Sequence, residues 1–334
     1  MHRSVLVAAL AAVAVTLVVS ACGGSDESGA GGAKSKLTLV AYSTPREVYK
    51  ELIPKFKATD AGKGVSFDQS YGASGEQSRA VEAGLQADVV AMSLAPDIDR
   101  LVEAGIVAET WADDEFDGMV SDSVVVLAVR KGNPKQVSGW ADLVRDDVDV
   151  ITANPFSSGG ARWNVMAAYG AALKQGKSED EAIEYLRRLF RNVSVQDKSA
   201  RESLQTFIGG KGDVLLAYEN EAITAQQNGE DVDYVVPDET ILIENPIAVT
   251  NDGGKTAQTF VDFARSSDAQ RVFAEKGYRS IIDDLVDSAK YPTPASLFTI
   301  ADLGGWPDVQ KQFFDRESGT MADIEREVGA PVDD

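Results

Sequence analysis

The chain holds one histidine, His2, and one cysteine, Cys22, and both stand near its start. From residue 23 onward neither residue type occurs, so Ser-His-Asp and Cys-His nucleophilic systems, cysteine-histidine zinc sites and disulfides are excluded there. No Ser-x-x-Lys spacing occurs anywhere, which removes the lysine-assisted route to a nucleophilic serine. Cations are scarce as well: 32 Lys and Arg stand against 53 Asp and Glu, a formal net charge of −21. Such a balance argues against nucleic acid or an acidic membrane surface as a partner. It also argues, at first sight, against an anionic ligand. The one long apolar run, Val5 to Val19, is too short and wrongly flanked for a membrane span.

That run reads as an export signal, with a basic start at His2 and Arg3 and a Val19-Ser20-Ala21-Cys22 junction that looks like a bacterial lipobox. Cleavage there leaves Cys22 as a lipidated N-terminus, so the protein is expected outside the cytoplasm, anchored to the outer face of the cell membrane. Residues 23–36, beginning "GGSDESGAGGA", then form a flexible tether. The remainder, about 310 residues, is long enough for two core-bearing domains.

From Leu37 onward β-rich runs alternate with helical stretches, the pattern of an α/β fold with mostly parallel strands. "LTLVAY" (37–42) reads as a strand, and Thr44-Pro45-Arg46-Glu47 offers an N-cap, a proline at the first helical position and a capping-box glutamate. Ser74 with Gln77, and Ser178 with Glu181, offer two more boxes. "ADVVAM" (87–92) and "SVVVLAVR" (123–130) are buried strands, and Val193–Val195 is another, feeding a helix near Ala200. Four strand ends thus lead into helix N-termini, each exposing unpaired N–H groups and a partial positive charge. The acidic "DDEFDG" (113–118) lacks calcium-loop spacing. "GGKT" (253–256) lacks the first glycine of a phosphate loop, since position 249 is Val249.

The stretch "NPFSSGGARWN" (154–164) packs two hydroxyls, two residues without a β-carbon and a cation beside the strand around Val148–Ile151. Trp163, Met166, Ala167 and Gly170 then recur at helical spacing, so a helix begins at Gly160 or its neighbour. Taken alone, the stretch is either a capped strand-to-helix turn or an anion cradle. With "RKGNPKQVSGWADL" (130–143) and "GDVLLAYENEA" (212–222), it resembles the sulfate-binding proteins of bacterial ABC importers, over about Leu37 to Trp306. The resemblance implies a two-lobed, hinged α/β fold of the type II periplasmic-binding-protein kind. It closes on a desolvated sulfate held by backbone N–H groups, a serine hydroxyl and an aromatic donor, with no cation in contact.

Residue by residue, the resemblance implies backbone donors at Ser43, Ser74, Gly159, Gly160 and Ala200, a hydroxyl donor at Ser158 and the aromatic donor at Tyr218. It has four departures: Ser43 for an aspartate, Tyr71 for a histidine, Phe156 for a lysine and Tyr218 for a tryptophan. Arg46, Arg162 and Arg201 lie just beyond proposed donors and are expected to brace the loops. Fixed dipoles resolve the charge conflict, because helix N-termini hold an anion without net positive charge. The expected partners are sulfate, or thiosulfate as the alternative, and a membrane permease; molybdate and phosphate are remoter ligands, and an enzyme using Ser157 or Ser158 lacks a base. A monomer is expected, with no cofactor or metal. Lobe one is expected at 37–122 plus 250–334 and lobe two at 123–249, with crossover strands at 123–130 and 241–250. No donor titrates between about pH 5 and 8, so binding is expected to be nearly independent of pH there.

Overall fold

The computed structural model describes residues 35–286 and 289–332. The expected export signal, Cys22 and nearly all of the expected tether lie outside the described residues. Strands and helices follow in the order β1 (Lys36–Tyr42), α1 (Arg46–Ala58), β2 (Ser66–Gly72), α2 (Ser74–Glu82), β3 (Val89–Ala91), α3 (Ala95–Glu103) and β4 (Met119–Arg130). Next come β5 (Val150–Ala153), α4 (Gly159–Lys174), α5 (Glu179–Arg191), β6 (Val193–Asp197), α6 (Ala200–Ile208), β7 (Val214–Tyr218), α7 (Glu219–Gln227), β8 (Val232–Val235) and β9 (Glu239–Val249). The chain continues with α8 (Gly254–Ala264), α9 (Ser267–Glu275), β10 (Ser296–Phe298), α10 (Gly305–Phe313) and α11 (Thr320–Val328).

Hydrogen bonding orders the main strands β2-β1-β3-β9-β4-β7-β5-β6. The order is two copies of one arrangement: parallel β2-β1-β3 edged by antiparallel β9, and parallel β6-β5-β7 edged by antiparallel β4. The two long strands β4 and β9 pair with each other between the copies, Val124 opposite Leu242 and Asp122 opposite Glu244. They contain "SVVVLAVR" and most of "ILIENPIAVT", and their pairing links the two copies.

Strand periodicity builds the cores. Along β4, Val125, Leu127 and Val129 enter one hydrophobic cluster while Val124, Val126 and Ala128 enter another on the opposite face. Along β1, Leu39 and Ala41 face Phe56 and Phe260, and Val40 faces Met92 and Ile98. Helix α5 shows the complementary period: Ala182, Tyr185, Leu186, Leu189 and Phe190 make its buried stripe, and Ser178 with Glu181 forms the expected capping box. Each fully buried leucine on that stripe contributes about 1.5–3 kcal/mol.

Two expectations do not carry over. Residues 296–332 pack mainly with the second lobe and not the first: Phe298, Val309, Phe313, Met321 and Ile324 share a core with Trp163, Met166, Leu186 and Leu189, while α10 also touches α3. The apolar stripes of α10 and α11 need a cover, and α4 and α5 supply it. The return is made by a connecting segment and not by a crossover strand, so strand patterning does not announce it. Buried Arg279 ties the start of that segment to Glu219 of α7 through two side-chain hydrogen bonds. The second departure is in the caps of α1 and α2, whose N-cap residues are Pro45 and Ala73 without side-chain bonds. The hydroxyls of Thr44 and Ser74 are instead turned to tertiary partners.

Candidate functional site

The C-terminal ends of β1, β2 and β3 in one lobe face those of β5, β6 and β7 in the other, the place where open α/β sheets bind ligands. Between them lies a small, nearly closed cavity. Its first-lobe wall is Tyr42, Ser43, Thr44, Gly72, Ala73, Ser74 and Ser93; its second-lobe wall is Ser158, Gly160, Ser199, Ala200 and Tyr218. The cavity therefore gathers Ser43, Ser74, Ser158, Gly160, Ala200 and Tyr218, residues singled out from sequence.

Three helices begin on this cavity. Ser74 opens α2, Gly159 and Gly160 open α4, and Ala200 opens α6. First-turn N–H groups have no acceptor within their own helix, and together they give the wall a positive potential without a charged side chain. The two hydroxyl caps add to it. Ser158 Oγ accepts from Ala161 N at 3.3 Å, and Ser199 Oγ accepts from Glu202 N at 3.3 Å. A hydroxyl that accepts in this way keeps its own proton, free to be donated elsewhere. Ser157 differs, because its Oγ donates to the carbonyl of Lys198 at 2.8 Å and so ties the β5–α4 loop to the β6–α6 loop. Ser74 Oγ donates to Asp97 Oδ2 at 2.6 Å, which leaves that residue its backbone N–H for the cavity.

Gly159 is placed differently from Gly160. A β-carbon on Gly160 would stand 3.4 to 3.5 Å from Ala200, Ser158 and Tyr218 of the wall. One on Gly159 would stand 2.7 to 2.8 Å from Leu94 and Ser93 of the opposite lobe. Gly159 thus lets the two lobes approach.

Arg162 and Arg201 make loop contacts, and Arg46 does not. Arg162 Nε donates to the carbonyl of Pro155 and its Nη1 to Gln310 Oε1, both at 2.8 Å, with the guanidinium 5.0 Å from the Phe314 ring centre. Burial pushes Arg162 down to about 10, while Asp97 opposes that shift. Asp97 is pushed up by its own burial, with Arg162 opposing. Arg201 Nη2 crosses the cleft to the carbonyl of Thr44 at 3.1 Å. Arg46 is exposed and lies over the Tyr71 ring at 5.1 Å.

Sequence reasoning passed over Ser93, Ser199 and Glu221. Ser199 was legible as the cap of Ser199-Ala200-Arg201-Glu202, and Ser93 from the helix start at Pro96. Glu221 left no signal. It sits in the first turn of α7, buried behind Thr44, whose Oγ1 lies 3.5 Å from Glu221 Oε1, while Oε2 is buried without a hydrogen-bond partner. Burial pushes Glu221 up to about 7 against the opposing charge of Arg201. The hydroxyls of Tyr42, Tyr218 and Tyr278 are the other titratable groups near it.

The model of the family described as "Bacterial extracellular solute-binding protein" matches residues 37–279. A "Sulfate-binding protein" of Synechococcus elongatus is 42% identical, with 94% of each chain covered. The structure of "The sulfate-binding protein SubI from Mycobacterium tuberculosis H37Rv" superposes with a TM-score of 0.82 at 42% identity, covering 84% of this chain and all of that one. A "Thiosulfate-binding protein" of Pseudomonas aeruginosa is 33% identical over 86% of this chain and 91% of its own. The two-lobed type II arrangement is common to these folds, and the chain belongs to the bacterial extracellular solute-binding proteins, with its strongest likeness among these to sulfate-binding members.

Proposed function

We propose that this protein is an exported binding protein that captures sulfate between its lobes and delivers it to the permease of an ABC importer. The observation that carries the reading is the cavity wall: three helix N-termini and several hydroxyls converge on it, and no acidic side chain lines it. Such a wall suits a fully ionised oxyanion, because every group is a donor and the fixed dipoles need no reorganisation. The ligand donors are Ser43, Ser74, Gly159, Gly160 and Ala200 through their backbones and Ser158 through its hydroxyl. Lipidation at Cys22 would hold the protein at the membrane, where a binding protein meets its permease. A binding role without chemistry fits relatives that are solute-binding proteins. Calorimetric titration of the chain from Cys22 onward with sulfate tests the reading; absence of a saturable exothermic or endothermic response would end it. Thiosulfate is the second reading, favoured by the tyrosine at 218, and the same titration with thiosulfate ranks the two.

Ser158→Ala is expected to weaken sulfate binding by ~1.5–3 kcal/mol, the range for a hydrogen bond to a charged group. Ser157→Ala should cost far less, because its proton is spent on Lys198. Equal losses at the two positions would put the wrong serine in the cavity.

Glu221 bears on the expected indifference to pH. Where opening the lobes parts it from Thr44 and admits water, its carboxyl returns from about 7 toward its ordinary 4.5, and closure takes up a proton. The sign follows: the contribution to closure is full below about 4.5, is lost as pH rises to about 7 and is flat above. Sulfate affinity should therefore fall between about pH 5 and 7 by up to about tenfold per unit, the limit for one linked proton. Glu221→Gln should flatten the profile. Titrations at several pH values in wild type and variant decide it, and a flat wild-type profile removes Glu221 from the linkage.

A further inference from the structure

The backbone of Ser93 is fully engaged. Its N–H donates to Ser74 Oγ at 2.8 Å, and its carbonyl accepts from Trp163 Nε1 and Asn245 Nδ2, both at 2.8 Å. Three elements, α2, α4 and β9, thereby fix one short loop after β3. The hydroxyl remains, and it lies 2.6 Å from the hydroxyl of Tyr218, which comes from the other lobe. Both residues are about 1% exposed, and both border the cavity.

Two hydroxyls that share one hydrogen bond have two protons and need only one for it. A phenol is a stronger hydrogen-bond donor than an alcohol. That sets the direction of the shared bond: Tyr218 donates to Ser93. The proton left over is that of Ser93.

We infer that the Ser93 hydroxyl is itself a ligand donor, aimed into the cavity by Tyr218, and that Tyr218 is a positioning residue that does not touch the anion. The inference rests on the oxyanion reading of the cavity. It adds a consequence, because Ser93 belongs to one lobe and Tyr218 to the other: the donor is oriented only when the lobes are closed, so ligand and closure reinforce each other.

The experiment is sulfate calorimetry on wild type, Ser93→Ala, Ser93→Thr, Tyr218→Phe and the double variant Ser93→Ala/Tyr218→Phe. Wild-type binding is read first, and its absence counts against the sulfate reading and not against the donor assignment. Given wild-type binding, Ser93→Ala should lose about tenfold or more, as for a lost hydrogen bond to an anion. Tyr218→Phe should lose less, the double variant no more than Ser93→Ala, and Ser93→Thr should keep most of the affinity. A merely structural role for the pair would not be rescued by threonine. Additive losses, or a loss at Tyr218→Phe larger than at Ser93→Ala, would show Tyr218 on the ligand and overturn the assignment, as would normal binding by Ser93→Ala. Should Ser93→Ala fail to fold, Ser93→Cys keeps the side-chain volume with a weak donor, and normal sulfate binding by it overturns the assignment equally.

Discussion

Phosphate is expected to bind about a hundredfold more weakly than sulfate at pH 7, although the two ions have the same shape and nearly the same size. Phosphate at neutral pH carries at least one P–O–H, and that proton requires an acceptor. The cavity offers N–H groups of helix first turns and hydroxyls, and no carboxylate lines it. Closing the lobes would set the phosphate proton against another donor, a loss of ~1–3 kcal/mol for an unpaired buried polar group, with repulsion added. The acids that could relieve this face elsewhere. Asp97 accepts from Ser74 Oγ, Asp197 from Thr206 Oγ1, and Glu219 from Arg279. Glu221 is the nearest reserve, screened from the cavity by Thr44. Competition of phosphate against sulfate by calorimetry decides the matter. Comparable affinities would mean that an acceptor reaches the ligand, and the all-donor cavity would be wrong.

Local signals carried much of the site into the sequence. A strand end followed by Ser, Gly or Ala at a helix start is legible because the hydrophobic period changes from two to 3.6 there. Gly160, Ala200 and Ser74 stand at helix starts read that way; the resemblance supplied Ser158 and put the four on one ligand. The cavity they share was beyond any local signal, since β1, β2, β5 and β6 meet only through the crossing strands β4 and β9. Caps were read less well. Thr44 and Ser74 have the right residue type and spacing for capping boxes, yet Glu221 and Asp97 compete for their hydroxyls across the tertiary structure. A buried carboxylate left unpaired carries a large desolvation cost, so it fixes the rotamer that turns each hydroxyl toward it and away from the first-turn N–H groups. The local signal at Ser93 marks no more than a nearby helix start, and the partners that give the residue meaning lie far away in the chain. The placement of 296–332 likewise depended on which stripe α10 and α11 would cover, and an apolar stripe does not name its partner.

Gly159→Ala is expected to weaken sulfate binding by about a hundredfold while Gly160→Ala folds normally and loses affinity by a different route. The new β-carbon at 159 would lie 2.7 Å from Leu94 Cδ2 and 2.8 Å from Ser93 Cβ. Leu94 can turn its side chain aside. Ser93 cannot, because its N–H, its carbonyl and its hydroxyl are each bonded, to Ser74, to Trp163 and Asn245, and to Tyr218. The clash must then be relieved by holding the lobes apart, a strain of ~1–3 kcal/mol for overpacking, and the separation also parts Ser93 from Tyr218. At Gly160 the added carbon meets only ordinary contacts with Ala200, Ser158 and Tyr218, so closure survives and the methyl group takes room from the anion instead. Small-angle scattering separates the routes. With saturating sulfate, Gly160→Ala should reach the compact form and Gly159→Ala should stay expanded. Since the obstruction lies between lobes, thermal unfolding of unliganded Gly159→Ala should stay close to that of wild type. A Gly159→Ala protein that closes and binds as wild type does would show that the approach of α4 to Ser93 is not what limits closure.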